Sequence, residues 1–201
     1  MTKRALDIVA SGAALLVLSP VLAVIAAIIK LDSPGPVLFR QERVGRNFKP
    51  FVIFKFRTMV AAADRIGAPI TYGADPRISR VGRVLRQFKL DELPQLFNII
   101  KGDMSLVGPR PEVPRYVQFY AREFAPVLQV RPGLTDLASL KYRDEAALLG
   151  RAENPEQEYL LRVLPDKLQL ANEYIRRASL SFDLTLIAKT LFRIVRTRTD
   201  S

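Results

Sequence analysis

The chain has no cysteine and no histidine in its 201 residues. The first absence excludes disulfides, a thiol nucleophile and any thiolate-ligated metal. The second removes the side chain that most often serves as a general base. Acid–base or nucleophilic chemistry must then run on carboxylates, hydroxyls, tyrosine or lysine. A metal, if used, would be a hard, oxygen-liganded ion such as Mg²⁺. Acids are also in short supply, with 20 Asp and Glu against 31 Lys and Arg and a net charge of +11. That balance points to an anionic partner: nucleic acid, an acidic membrane surface or a phosphate-rich substrate. About half the residues are apolar, 49%, which excludes a disordered chain and fits one domain with a real core plus an appended segment. No internal repeat and no low-complexity linker divides it.

Ile8 to Ile29 carries no charge, and as a straight helix it would reach roughly 33 Å, enough to cross a bilayer. Ser19-Pro20 sits near its middle. Proline lacks a backbone donor and clashes with the preceding turn, so a kink is expected, with the Ser19 hydroxyl able to bond back to a freed carbonyl. Lys3 and Arg4 precede the segment; Lys30, Arg40, Arg43, Arg46 and Lys49 follow it. Lys and Arg mark the cytoplasmic side. A helix that enters, bends and returns satisfies both basic flanks, whereas a straight span does not. A kinked single-pass anchor is the main rival. A signal peptide fits less well, because Asp7 interrupts the start and no small-residue cleavage site follows.

Downstream, Ser33-Pro34-Gly35-Pro36 reads as a turn. Val37–Phe39 and Phe51–Phe54 read as short strands around a turn at Gly45-Arg46-Asn47, hence a β-hairpin. An alanine-rich helix is expected over 59–66 and a loop over 66–75. Arg77–Phe88 reads as an amphipathic helix, with Ile78, Val81, Val84, Leu85 and Phe88 on one side and Arg77, Arg80, Arg83 and Arg86 on the other. That arginine row is either a solvated face or a contact for lipid headgroups or diphosphate. Further helices are expected over 93–100, 113–124, 156–178 (with Pro165 interrupting) and 179–196. The last pairs an apolar face with basic flanks and suits either a membrane surface or a core. Gly108-Pro109-Arg110-Pro111 reads as a rigid loop.

Lys89-Leu90-Asp91-Glu92-Leu93-Pro94-Gln95-Leu96 is the most unusual cluster. Paired acids at a helix start have an ordinary use, Asp91 capping free N–H groups and Glu92 facing the positive end of the dipole. The same physics, with Arg86 and Lys89 nearby, would keep Asp91 ionised as a nucleophile or Mg²⁺ ligand.

The run from Leu90 through Asp91-Glu92-Leu93-Pro94-Gln95 to Gly108-Pro109-Arg110-Pro111 resembles the signature of the bacterial sugar transferases, the monotopic phosphoglycosyl transferases. Lys3-Arg4-Ala5-Leu6-Asp7, Ser19-Pro20, Ser33–Phe39, Gln41–Gly45, Phe54–Met59, Asp75-Pro76-Arg77 and Arg131–Thr135 match as well, in order along nearly the whole chain. The resemblance is to the minimal form of the family, without the upstream helices and domain of larger members.

The resemblance implies a mostly α fold with a short β-hairpin. Residues 1–32 would form a re-entrant membrane helix kinked at Ser19 and Pro20. Residues 33–201 would form a membrane-associated catalytic domain with amphipathic interfacial helices, at the cytoplasmic face of the bacterial inner membrane. It implies that Asp91 attacks the β-phosphate of a UDP-sugar, that UMP leaves, and that polyprenyl (undecaprenyl) phosphate then takes the phosphosugar. Glu92 would assist, Mg²⁺ would bind at Asp91 and the diphosphate, and Arg110, Lys55 and Arg86 would hold substrate. Arg57, beside Lys55, has a structural role open to it. Expected partners are UDP-sugar, polyprenyl phosphate and membrane lipid; assembly as a homodimer stays open. The chain departs from the family pattern after Thr135, where Asp136 and then Ala138-Ser139 stand in place of glycine and an Ala-Gln pair, and at Ala171, where relatives carry an acid.

Two other classes compete. A membrane-tethered nucleic-acid binder would explain the charge, but no recognised motif supports it and the basic residues are scattered, so no nucleic acid is expected. A non-catalytic scaffold would not need Asp91, Glu92 and Arg110 intact. A polytopic transferase is disfavoured by the single long apolar segment.

Overall fold

The computed structural model describes residues 2–60, 63 and 70–196. The chain opens with one long helix, α1 (Thr2–Asp32), followed by the hairpin β1 (Leu38–Val44) and β2 (Pro50–Phe56). Next come α2 (Arg80–Gln87), α3 (Gln95–Lys101) and β3 (Ser105–Val107). A helical stretch holds α4 (Pro114–Phe119) and α5 (Ala121–Val127) before β4 (Gly133–Thr135). The rest is helical: α6 (Leu137–Lys141), α7 (Glu145–Leu149), α8 (Pro155–Glu158), α9 (Leu164–Arg177) and α10 (Leu180–Arg196). The fold is thus mostly helical with a short antiparallel hairpin, as the sequence led us to expect. Most of the expected alanine-rich helix over 59–66, and residues 66–69 of the expected loop over 66–75, fall outside the described residues; Met59, where that helix would start, is not helical but pairs with Ile78 in an isolated β-bridge.

Leu38 stands opposite Phe56 and Val44 opposite Pro50 in the hairpin. Its turn needs two non-glycine residues at positive φ, Asn47 at 56° and Phe48 at 59°. β3 and β4 form a second, parallel pair that the sequence did not announce. The expected helix over 113–124 is broken at Tyr120, whose backbone leaves the helical region at φ −127° and ψ 40°. The expected long helix over 156–178 is continuous but widened at Tyr159–Val163, where the Leu164 N–H reaches back to the Tyr159 carbonyl. Pro165 in the next turn supplies the reason, since its ring has no N–H and crowds the carbonyl four residues earlier. The main core lies here, with Tyr116, Phe124, Leu149, Tyr159 and Leu164 each no more than 4% exposed.

Among the described residues, α1 is the one helix long and apolar enough to cross a membrane. It continues through Pro20. Pro20 has no N–H for the Leu16 carbonyl, and Ser19 Oγ donates to that carbonyl instead, at 2.8 Å. Both arms of α1 lie against the same body. Lys3 pairs with Asp183 of α10 and donates to the Val107 carbonyl at 3.0 Å. Arg4 covers the carbonyl end of α3, reaching Ile99 O at 2.6 Å and Ile100 O at 2.9 Å. Asp7, 3% exposed, accepts from Ser105 Oγ at 3.1 Å and Leu106 N at 3.0 Å. Further along, Ala14 and Leu15 pack on Ile53, Leu96 and Met104, and Ile25 and Ile29 pack on Phe56 and Leu85. Arg57 then closes the helix, donating to Ser33 O at 2.7 Å, Pro34 O at 3.0 Å and Ile29 O at 3.2 Å. Leu16 and Val17 in the middle stand well clear, at 77% and 75% exposure, and each arm keeps an exposed side as well, with Val9 and Val24 turned away from the body.

Candidate active site

Asp91 and Glu92 sit in a single 3₁₀ turn, Leu90–Glu92, between α2 and α3. The chain enters it through Lys89 at φ 57°, a conformation uncommon outside glycine. Neither acid caps a helix, because the turn and α3 both lack a side-chain cap bond. Asp91 therefore does not serve as the helix cap.

The two carboxylates have opposite surroundings. Glu92 is fully engaged: Lys55 Nζ lies 3.0 Å from its Oε1 and Arg110 Nη2 lies 2.5 Å from the same oxygen. Burial alone would raise the Glu92 carboxyl, but Arg110 and then Lys55 overcome it and hold it well below the usual range. Asp91, 7% exposed, keeps Oδ1 buried with no hydrogen-bond partner among the described residues. Burial, reinforced by Glu92, pushes its carboxyl up, against Lys55, Lys89 and Arg86. The expectation that helix-end N–H groups with Arg86 and Lys89 keep Asp91 ionised is therefore only partly met, and a further cationic or donor group at Oδ1 would complete the balance.

Each basic residue is held by its own element. Lys55 projects from β2, whose register is locked by Asn98 of α3, accepting from Phe54 N at 3.0 Å and donating to Val52 O at 2.7 Å. Arg86 comes from α2. Ser79 caps that helix by accepting from Gly82 N, and Gly82 lets it approach the backbone of Thr58, just beyond β2. A Cβ at Gly82 would lie 2.0 Å from the Thr58 carbonyl. Arg86 Nε donates to Thr58 Oγ1 at 2.9 Å and Nη1 to Thr71 Oγ1 at 3.0 Å, with no carboxylate among the described residues in hydrogen-bond contact. A guanidinium desolvated between two neutral hydroxyls is an incomplete pair, ready for an anion. The expected arginine row splits: Arg86 turns inward, Arg77 pairs with Asp75 at 2.6 Å, and Arg80 and Arg83 stay exposed.

Arg110 rides on the Gly-Pro-Arg-Pro loop, which interlocks with 131–136. Gly108 N donates to Thr135 O at 3.1 Å and Gly133 N to Pro109 O at 2.9 Å. A side chain on Gly133 would strike the Gly108 backbone at 2.1 Å, so this crossing demands glycine. Asp136, 3% exposed, accepts from Arg110 N at 3.2 Å and from Ser139 N at 2.7 Å. On the far side Glu112 accepts from Val113 N at 2.8 Å, Arg43 at 3.2 Å and Tyr159 at 2.5 Å.

Lys55, Glu92 and Arg110 thus converge in direct contact, Asp91 adjoins them in the same turn, and Arg86 influences both acids. Sequence reasoning missed Thr58, Thr71, Asn98 and Asp136 as supports. It also missed Gln95, one turn beyond Asp91, 1% exposed with an unpartnered Nε2 among the described residues. Among those residues no group of three or more carboxylates stands ready to hold a metal. The free Asp91 oxygen fits Mg²⁺ in its usual substrate-bound form, where one or two carboxylates and phosphate oxygens share the ion.

The profile of the bacterial sugar transferase family matches residues 1–197. The UDP-N-acetylgalactosamine-undecaprenyl-phosphate N-acetylgalactosaminephosphotransferase of Aeromonas hydrophila is 38% identical over 196 residues, 96% of this chain and 43% of its own length. The UDP-glucose:undecaprenyl-phosphate glucose-1-phosphate transferase of Caulobacter vibrioides is 40% identical over 194 residues, 95% of this chain and 68% of its own length. The Escherichia coli protein of the same description is 38% identical over 198 residues, and the chain spans 40% of it.

Proposed function

The chain belongs to the bacterial sugar transferase family, and on that premise we propose that it moves a sugar 1-phosphate from a UDP-sugar to undecaprenyl phosphate. The observation that carries the reading is the contrast inside one turn: Glu92 neutralised by Lys55 and Arg110, Asp91 buried with an unengaged oxygen. Asp91 is the nucleophile. Its oxygen attacks the β-phosphorus, the bond from that phosphorus to the bridging oxygen breaks, and UMP leaves with the electron pair. The phosphosugar stays on Asp91 as an acyl phosphate. A phosphate oxygen of undecaprenyl phosphate then attacks the same phosphorus, and Asp91 departs as carboxylate.

Arg110 and Arg86 hold phosphoryl oxygens and draw off their negative charge, which permits attack by an anion. Glu92, held ionised between Lys55 and Arg110, positions both cations. Mg²⁺, bound by Asp91 and the diphosphate, would supply further charge neutralisation there. The sugar is left open, since the relatives named above act on different donors.

Purified protein with undecaprenyl phosphate, Mg²⁺ and a panel of UDP-sugars should release UMP with at least one donor and stop with EDTA. Folded protein that leaves every donor intact would count against the reading.

The two arms of α1 on one body favour a re-entrant helix in the inner membrane, with the site at the cytoplasmic face. With no native cysteine to interfere, Thr2→Cys and Leu31→Cys bracket the helix. An impermeant thiol reagent added outside spheroplasts should spare both until the membrane is opened. Labelling of just one from outside would mean a spanning helix.

A further inference from the structure

Two arginines of α2 take no part in the site described above. Arg80 and Arg83 are exposed, and neither side chain has a hydrogen bond or ion pair among the described residues. At about 100° per residue, a circuit of this helix passes Val81, Val84, Arg80, Gln87, Arg83 and Arg86 in that order. The outer face therefore grades from apolar to cationic. At its apolar border Val81 packs on the cluster that joins Leu85 to Ile25 and Ile29 of α1. Val84, next in the circuit, is 52% exposed. At its cationic border Arg86 turns to Thr58 and Thr71 and lies near enough to act on both Asp91 and Glu92. Gly82 and Leu85 are buried on the opposite side and seat the helix. The outer face of α2 thus leads from the membrane helix to the catalytic turn across the width of one helix, about 10 Å.

Arg86 has a donor group to spare. Its Nε and Nη1 go to neutral hydroxyls, and its Nη2 has no hydrogen bond among the described residues. Arg83 is three residues before Arg86, and Arg80 three before that, so each is the next one's neighbour on the helix surface.

A face that is apolar beside a membrane helix and cationic beside the site complements a phosphate at one end of a long hydrocarbon. We infer that the outer face of α2 docks the prenyl phosphate acceptor, its phosphate between Arg83 and Arg86 with Arg80 behind, and its first isoprene units over Val84 towards the second arm of α1. The inference rests on the transferase reading given above and supplies the acceptor's side of that site. Charge and shape together select the occupant. A phosphate monoester brings up to two negative charges to these guanidiniums, whereas the phosphodiester of a membrane phospholipid brings one. A UDP-sugar is anionic too, but has no hydrocarbon for the apolar border. Arg86 then meets the attacking phosphate in the second step, when that phosphate displaces Asp91 from the phosphosugar.

The test uses the full chain in phosphatidylcholine nanodiscs with an undecaprenyl phosphate analogue that carries a diazirine near its phosphate. The analogue should label peptides of α2 and of the second arm of α1, and undecaprenyl phosphate should compete. Arg80→Gln with Arg83→Gln should lower the yield by about tenfold, from the loss of two near-surface charges. Both side chains are exposed and unpaired, so the fold should not suffer. Arg122→Gln with Arg151→Gln removes two exposed charges elsewhere and should leave the yield unchanged. Labelling confined to other elements overturns the proposal. So does competition by phosphatidylglycerol as effective as by undecaprenyl phosphate, which would make the face a general lipid contact. Turnover gives a second reading. The Arg80 and Arg83 double variant should raise the acceptor KM about tenfold, with the UDP-sugar KM and the rate of adduct formation without acceptor at the parent's values. A rise in the UDP-sugar KM instead would make this a donor contact and also overturns the proposal. A parent that consumes no donor would fail the transferase reading, and labelling would still decide the docking face.

Discussion

Asp91→Asn is expected to abolish UMP release, by on the order of 10⁴-fold or more, because a carboxamide is not a nucleophile at phosphorus and the neighbouring carboxylate, Glu92, is held by Lys55 and Arg110. The variant should nevertheless fold as well as the parent. Burial already disfavours charge at Asp91, and a neutral group of the same shape relieves that cost, so its melting temperature should hold or rise. Two measurements decide the matter: UMP release, and the intact mass of protein incubated with donor but no acceptor. The parent should gain the mass of one phosphosugar and the variant none. An adduct on the variant would place the nucleophile elsewhere.

Arg110→Met should give the second largest effect, on activity and stability together. It removes the guanidinium that holds Glu92 and, in the proposed mechanism, a phosphoryl oxygen. Breaking a buried ion pair from one side costs about 3–5 kcal/mol; the low end applies, because the Arg110 side chain is 32% exposed and Lys55 remains. Adding Glu92→Gln should recover much of the stability and none of the activity, which separates a support from a participant.

The pH dependence has a fixed sign. A carboxyl held low in the folded state contributes stability above its unfolded value, and loses it as pH falls through the folded value. In the parent that contribution should persist well below the ordinary glutamate range. In Arg110→Met the loss should set in at higher pH, as read by urea denaturation from neutral to acid. Identical acid limbs for the two proteins would show that Arg110 does not set the Glu92 ionisation.

The local elements were legible because their signals are local. Short apolar runs on either side of Gly45-Arg46-Asn47 announce a hairpin, and the Asp-Glu pair between Lys89 and Pro94 stands out in the sequence, though it reads there as a helix start and proves to be a 3₁₀ turn. Lys55, Arg86 and Arg110 were legible as charges needing anions. The devices that aim them were not. Thr58 and Thr71 carry no pattern that marks them as holders of Arg86, and Thr71 lies 15 residues away along the chain. β3 and β4 are three residues each and pair across a long intervening segment, so no periodicity betrays them. Asp136 was visible only as a departure from the family pattern; its bond to the Arg110 backbone belongs to tertiary structure. The break at Tyr120 has no proline or glycine to signal it.

The bare crossing of Gly108 and Gly133 has a mechanical meaning. With no side chain between them and hydrogen bonds on either side, the two loops have no room to slide and no slack to stretch. They behave as one stiff plate, with Arg110 near one edge and Asp136, at the mouth of α6, near the other. Pressure on the Asp136 edge would tilt the arginine directly. A change of residue there would then reach turnover through the arginine, without touching the catalytic turn itself.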